Sequence, residues 1–327
     1  MSSDSTSEGD AAKPTVTPAD IRAAHRRIVS RVRRTPLLET PVAGAGPASL
    51  KLECLQHSGS FKARGAFNNL LSRSAPPAGC ATASGGNHGA AVAYAAQQLG
   101  VRAHVFVPEI ATPAKISRIL AYGAEAAIGG GSYAEAQILC DAYVAESGAL
   151  PIHPYDAAET VAGAGTTALE WEEDLARLAL PALDTALIAV GGGGLIAGVA
   201  AWFSGRVKIV GVEPEFSRAL HAALEAGRPV DVAVQSIAAD SLGARRVGDL
   251  NFAIARQHVA EVVLVADAAI AEAQARLWTD VSIVAEPGGV AAFAALLSGA
   301  YRPAKGERVG ILVCGANADL AAFARLV

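Results

Sequence analysis

Short apolar runs alternate with segments of helical periodicity along almost the whole chain. The runs at 81–83, 103–107, 124–128, 186–190, 208–212, 262–265 and 309–313 are brief and largely free of alternating polar positions, which predicts strands buried on both faces. The intervening segments carry helix signals. Thr17-Pro18-Ala19-Asp20 combines an N-cap, a proline in the first turn and a capping-box acid. Thr112-Pro113 opens another helix that Gly123 closes, and Asn87 precedes a helix over 88–99 that ends at Gly100. Buried strands joined by helices predict an α/β protein with mainly parallel twisted sheets flanked by helices.

The residues 185–205 contain no charge and are long enough to raise a membrane span. Gly191, Gly192, Gly193 and Gly194 interrupt them, and a strand, a glycine turn and a buried helix explain the run more simply. A length of 327 residues with 52% hydrophobic positions supports two domains or one large one. The net charge of −4, without a basic stripe interleaved with aromatics, argues against a nucleic-acid partner. Cys54, Cys80, Cys140 and Cys314 form no CxxC pair and have no histidine at zinc spacing. They read as reduced thiols of a cytoplasmic protein, with no metal site and no membrane anchor. Residues 1–16 begin with a small, polar stretch lacking the apolar run of a signal peptide and are expected to be a disordered tail.

Several segments carry chemistry. In Ser58-Gly59-Ser60-Phe61-Lys62-Ala63-Arg64-Gly65, Ser60 reads as an N-cap that puts Lys62 in the first helical turn. The positive end of a helix disfavours an ammonium and lowers its pKa, which suits a Schiff-base lysine; a solvated surface lysine explains the segment at least as well when it is taken alone. Ser84-Gly85-Gly86-Asn87-His88-Gly89 joins a strand to a helix, where free amides attract an anion, although a tight capped turn would look the same. The four glycines 191–194 sit between a strand and a helix, a phosphate-nest arrangement without the Lys-Ser/Thr of a P-loop. The same stretch, as Gly192-x-Gly194-x-x-Ala197 followed by a strand and Glu213, also fits a dinucleotide fingerprint. Cys314 ends the last strand, where side chains of doubly wound sheets meet ligands, though a free cysteine is more often simply packed.

Taken in order, SGSFKARGA (58–66), SGGNHG (84–89), IHPYD with AGAGT (152–156 and 162–166), GGGGLIAG (191–198), EPGG (286–289) and CGAN (314–317) make the chain resemble the fold-type II enzymes that use pyridoxal 5′-phosphate, in the branch of serine/threonine dehydratases and serine racemase. The resemblance implies two lobes, of the kind seen in tryptophan synthase β. A large cofactor-binding domain is expected over 17–79 plus 153–327, and a small domain carrying the asparagine loop over 80–152. It implies Lys62 as the Schiff-base lysine and later the base, Phe61 against the pyridine ring and Gly191–Gly194 around the phosphate. Asn87 is expected at the phenolic oxygen and Cys314 at the ring nitrogen. Ser58, Ser60, Ser84, Gly85, Asn87 and His88 are expected around the substrate carboxylate. The implied activity is removal of the hydroxyl from a small β-hydroxy-amino acid such as L-threonine or L-serine, giving a 2-oxo acid and ammonia. A homodimer is the usual state of such relatives.

Departures sharpen the reading. Racemases of this branch resemble the SGGNHG loop but carry an acid/base serine where this chain has Gly85, so dehydration outranks racemisation. Ser132-Tyr133-Ala134-Glu135-Ala136 is dehydratase-like and lacks the racemase arginine. The position for a further acidic metal ligand falls near Ala219, so no metal is expected. Arg245 and Arg246, in ADSLGARR (239–246), either face solvent or read a side-chain carboxylate such as that of hydroxyaspartate. The sequence ends in a helix after CGAN, so end-product control by a regulatory domain is not expected. The rival readings are a racemase or β-replacement enzyme on the same fold, an NAD(P)-dependent oxidoreductase, and a non-catalytic binding protein.

Overall fold

The structure, a computed structural model, describes residues 15–42 and 46–327. Of the expected tail, residues 1–14 lie outside the described residues. Val16, placed in that tail by its sequence context, is instead buried in the larger core at 5% exposure. Helix α1 (Pro18–Ile28) starts on the expected capping box. The Thr17 amide donates to Asp20 Oδ2 at 2.9 Å, and the Asp20 amide donates to Thr17 Oγ1 at 3.3 Å.

Strands β1 (Leu37–Val42) and β2 (Gly46–Lys51) then form an antiparallel pair. Pro41, Gly46 and Pro47 disguise this pair in the sequence, because they break the strand pattern. Two short 3-10 turns, Glu53–Leu55 and His57–Gly59, lead into α2 (Lys62–Ser72).

The next segment builds a four-stranded parallel sheet. Its elements are β3 (Cys80–Ala83), α3 (Asn87–Leu99), β4 (Ala103–Val107), α4 (Pro113–Ala121), β5 (Glu125–Ile128), α5 (Tyr133–Ser147) and β6 (Leu150–Pro151), with strand order β5-β4-β3-β6. The rest of the chain returns to the first sheet through α6 (Ala158–Arg177), β7 (Thr185–Ala189), α7 (Gly194–Phe203) and β8 (Lys208–Pro214). It continues with α8 (Ala219–Ala226), α9 (Ala239–Leu242), α10 (Asp249–His258), β9 (Val259–Val265), α11 (Asp267–Val281), α12 (Pro287–Leu297), β10 (Val309–Leu312) and α13 (Leu320–Phe323).

That sheet runs β1-β2-β10-β7-β8-β9, parallel except for the β1–β2 pair. All seven apolar runs read as strands are strands, but β5 and β9 stand at sheet edges and are not buried on both faces as expected, β5 being largely exposed. The uncharged run 185–205 resolves into β7, a glycine turn and α7, and among the described residues no helix is long and apolar enough to cross a membrane.

Each sheet has its own core. Ile188, Ile196, Ile209 and Trp171 pack in the larger one, and Val105, Val107 and Ile119 in the smaller. Helix α2 joins the smaller core through Phe67 and Leu70 and also packs along α6. It lies at the junction of the sheets with Lys62 as its first residue. The loops at the C-terminal ends of β3, β7 and β10 lead to the same place, the usual ligand crevice of open parallel sheets.

Candidate active site

Lys62 is partly buried, and its ammonium donates to the carbonyl of Pro154 at 2.7 Å and lies 5.1 Å from the centre of the Phe61 ring. No carboxylate pairs with it among the described residues. Burial lowers its pKa to about 8 from 10.5, opposed in part by the carboxyl of Glu286. Cys314 is also buried, and its thiol is pushed well above the ordinary range, so it adds no negative charge. Its sulfur donates to Gly288 O at 3.6 Å.

The loop before Lys62 departs from expectation. Ser60 does not cap α2. The cap position is Phe61, which makes no side-chain bond, because Ser60 is held extended in a β-bridge with Gly315 and the Phe61 amide donates to Cys314 O at 3.1 Å. Ser58 adopts φ +57° and Gly59 φ +77°, a left-handed pair that is costly for the serine. The hydroxyls of Ser58 and Ser60 are both buried without a hydrogen-bond partner among the described residues. Buried hydroxyls are normally paired, and these two stand just before Lys62 in the chain.

A buried charge network holds this loop at both ends. Arg64 binds Glu53 through Nε at 2.8 Å and Nη2 at 2.6 Å, and it reaches Glu170 at 3.0 Å. Lys51 binds Glu170 at 2.7 Å and Asp174 at 3.0 Å. The segment from Glu53 to Arg64 is thereby closed on itself, with Lys62 inside it.

The glycine turn sits beside Lys62, and Lys62, Pro154 and Gly194 line one small cavity. The amides of Gly192 and Gly193 donate to no acceptor among the described residues. Gly193 has φ +91°, and a Cβ on Gly192 would lie 2.4 Å from the ring of Tyr155. Tyr155 therefore requires glycine beneath it. Asn251 staples the two together, donating to Tyr155 O at 3.0 Å and Gly192 O at 2.8 Å, while Asp156 accepts the amides of Asp249 and Leu250 at the start of α10.

On the opposite loop, the Ser84 hydroxyl accepts the Gly86 amide at 3.2 Å. His88 was expected near the substrate, but its side chain is buried and bonded through Nε2 to Ile152 O at 3.1 Å. Burial and nearby Lys62 lower its pKa to about 3, so the ring is neutral, with its Nε2–H committed to that carbonyl. Asn87 begins α3 and donates to Glu286 Oε1 at 2.5 Å. Burial raises the Glu286 carboxyl to about 7 from 4.5, against the hydrogen bond from Asn87. Glu286, Asn317, Tyr155 and Asn251 were not singled out as site residues; IHPYD, EPGG and CGAN contain three of them and were the available signals.

Comparisons with known proteins decide the family. The model for pyridoxal-phosphate dependent enzymes matches residues 28–315. This chain belongs to that family. The phenylserine dehydratase of Ralstonia pickettii is 36% identical over 314 residues, covering 93% of this chain and 94% of the relative. The threonine deaminase of T.th. superposes with a TM-score of 0.86 at 36% identity, over 94% of this chain and 99% of that one. Maize serine racemase superposes with a TM-score of 0.87 at 30% identity, over 95% and 97%. The chain thus lies among threonine/serine dehydratases and serine racemases, whose cofactor is pyridoxal phosphate.

The residues present fit that group. A glycine turn with unpaired amides at the start of α7 suits a phosphate, a lysine of lowered pKa suits an aldehyde, and the unpaired serine hydroxyls suit a carboxylate. The dinucleotide reading falls with the family match, and Glu213 explains why physically. Both its oxygens accept amides of α8, from Leu220 at 2.9 Å and His221 at 2.8 Å, and the side chain is fully buried. It is not free to meet a ribose.

Proposed function

We propose that the protein is a pyridoxal-phosphate-dependent lyase that removes the β-hydroxyl of a small β-hydroxy-amino acid such as L-threonine or L-serine, releasing a 2-oxo acid and ammonia. The observation that carries dehydration over racemisation is Gly85. It stands where racemases of this kind have an acid/base serine, and a Cβ built there would lie 2.8 Å from the Cβ of Ala111. A serine at 85 would require Ala111 to move.

Pyridoxal phosphate, when bound, supplies an aldehyde that condenses with amines and a ring that withdraws electrons from the α-carbon. Lys62, whose ammonium gives up its proton more readily than an ordinary lysine's, would hold that aldehyde and then take the α-proton. The amides of Gly191–Gly194 would hold the phosphate, and Phe61 would lie against the ring. Asn87 would donate to the phenolic oxygen. The Cys314 thiol would face the ring nitrogen without an anion to keep it protonated. Ser58, Ser60 and the amides at the start of α3 would bind the substrate carboxylate.

The side-chain end favours a neutral substrate. Arg245 and Arg246 are exposed, with Arg246 directed to Asp231 at 3.5 Å, and Lys115 is taken by Asp240 at 2.7 Å. The exposure of Arg245 and Arg246 supports the solvent-facing reading of these two arginines over the hydroxyaspartate one. The test is a product analysis of the cofactor-loaded enzyme with serine, threonine, phenylserine and 3-hydroxyaspartate. Serine or threonine should give 2-oxo acid and ammonia faster than hydroxyaspartate does. Accumulation of D-serine as the main product would contradict the proposal.

A further inference from the structure

Arg118, Asn317, Asn87 and Glu286 form a chain of hydrogen bonds whose direction is fixed at every link. The Arg118 guanidinium on α4 donates to Asn317 Oδ1. Asn317 Nδ2 donates to the Ser58 carbonyl at 2.9 Å and to Asn87 Oδ1 at 2.6 Å. A guanidinium only donates and a carbonyl only accepts, so the Asn317 amide has one orientation. Asn87 must then turn its oxygen to Asn317 and its nitrogen to Glu286, which it meets at 2.5 Å. One N–H of Asn87 is left over.

The backbone makes room for both ends of this chain. A Cβ on Gly59 would lie 2.3 Å from Asn317 Oδ1, and one on Gly315 would lie 1.8 Å from Glu286 Oε1. Any other residue at either position would displace a member of the chain. The four side chains come from four segments: α4, the 314–317 loop, the start of α3 and the start of α12. Helix α4 is also tied to α9 by the Lys115–Asp240 pair, so Arg118 reports whether α4 is seated against the rest of the site.

We propose that Arg118 is a positioning residue that acts through Asn317 to fix the amide of Asn87, so that the remaining N–H is aimed at bound pyridoxal phosphate when α4 is seated. This rests on the reading that Asn87 serves the cofactor's phenolic oxygen. Arg118 is exposed and among the described residues has no hydrogen bond to the glycine turn or Lys62, so it reaches the site through Asn317 and, by its charge, through Glu286.

The test uses the holoenzyme and reads the visible absorbance band, its induced circular dichroism and the dissociation constant for pyridoxal phosphate. Arg118→Met should weaken cofactor binding roughly threefold and Asn317→Ala roughly tenfold, about what one hydrogen bond contributes. Both should move the visible band and reduce its induced circular dichroism while leaving the far-ultraviolet spectrum unchanged. Arg118→Lys, which keeps a donor, should restore the band. A native visible band in Arg118→Met or Asn317→Ala overturns the proposal. A wild-type protein that takes up the cofactor with no visible band would instead overturn the reading of Lys62, so the two failures are distinguishable.

Discussion

Lys51 and Lys62 both place an amine in the interior, and their surroundings could hardly differ more. Lys51 is fully buried and meets two carboxylates, Glu170 and Asp174, as well as the carbonyl of Thr35 at 2.8 Å. Lys62 meets one carbonyl and an aromatic ring. Desolvating a cation is costly unless opposite charge replaces the water. Lys51 has that replacement and ties β2 to α6. Lys62 has no such pair, and its pKa falls to about 8, which brings the free amine within easier reach. The first amine holds the fold; the second is available for chemistry.

The comparison breaks most sharply under matched substitutions. Lys62→Met should lower turnover by roughly 10³-fold or more, the scale of losing a positioned base, while leaving Tm unchanged or slightly raised. Lys51→Met should destabilise the protein by roughly 3–5 kcal/mol, because it strands Glu170 and Asp174 without their buried partner. Urea unfolding and a 2-oxo acid assay on both variants check this. Equal stability losses would erase the distinction between the two lysines.

Between these extremes lies the glycine turn. Gly192→Ala should weaken pyridoxal phosphate binding by about tenfold or more, since its methyl would push the Tyr155 ring off the turn. Titration of the visible band measures it. An unchanged affinity would mean that Tyr155 yields freely.

The smallest expected effect concerns pH. Burial raises Glu286 to about 7 from 4.5, so the folded protein binds a proton there that the unfolded chain releases. The stability this contributes is complete below about 4.5 and is lost as pH rises through about 7. Relative to Glu286→Gln, the cofactor-free wild type should therefore lose stability over that window and change little above it. Parallel denaturation curves from pH 5 to 8 measure the difference, and a constant difference would contradict it.

What could be read in advance follows the range over which each feature is determined. Strands β3, β4, β5, β7, β8, β9 and β10 announce themselves by local apolar runs, although β5 and β9 lie at sheet edges and are not buried. Strands β1 and β2 do not, because Pro41, Gly46 and Pro47 hide them, and β6 is only Leu150–Pro151. Lys62 and the four glycines stand in contiguous motifs that are ambiguous singly and become legible by their order along the chain. The bond between Asn87 and Glu286 joins residues 199 positions apart and exists only because α12 packs on the end of β10. Ser60 failed as a helix cap for the same reason, since its bridge to Gly315 is a tertiary contact. The His88 ring is held inward by Ile152 O, just after β6, a contact 64 positions away that the loop's own sequence does not show.

The most direct test saturates the protein with pyridoxal phosphate, reduces it with borohydride and locates the modified residue by peptide mass spectrometry. The account predicts loss of the visible band and one pyridoxyl adduct, on the peptide containing Lys62. An adduct on Lys51 or another lysine, or none on a saturated protein, would contradict it.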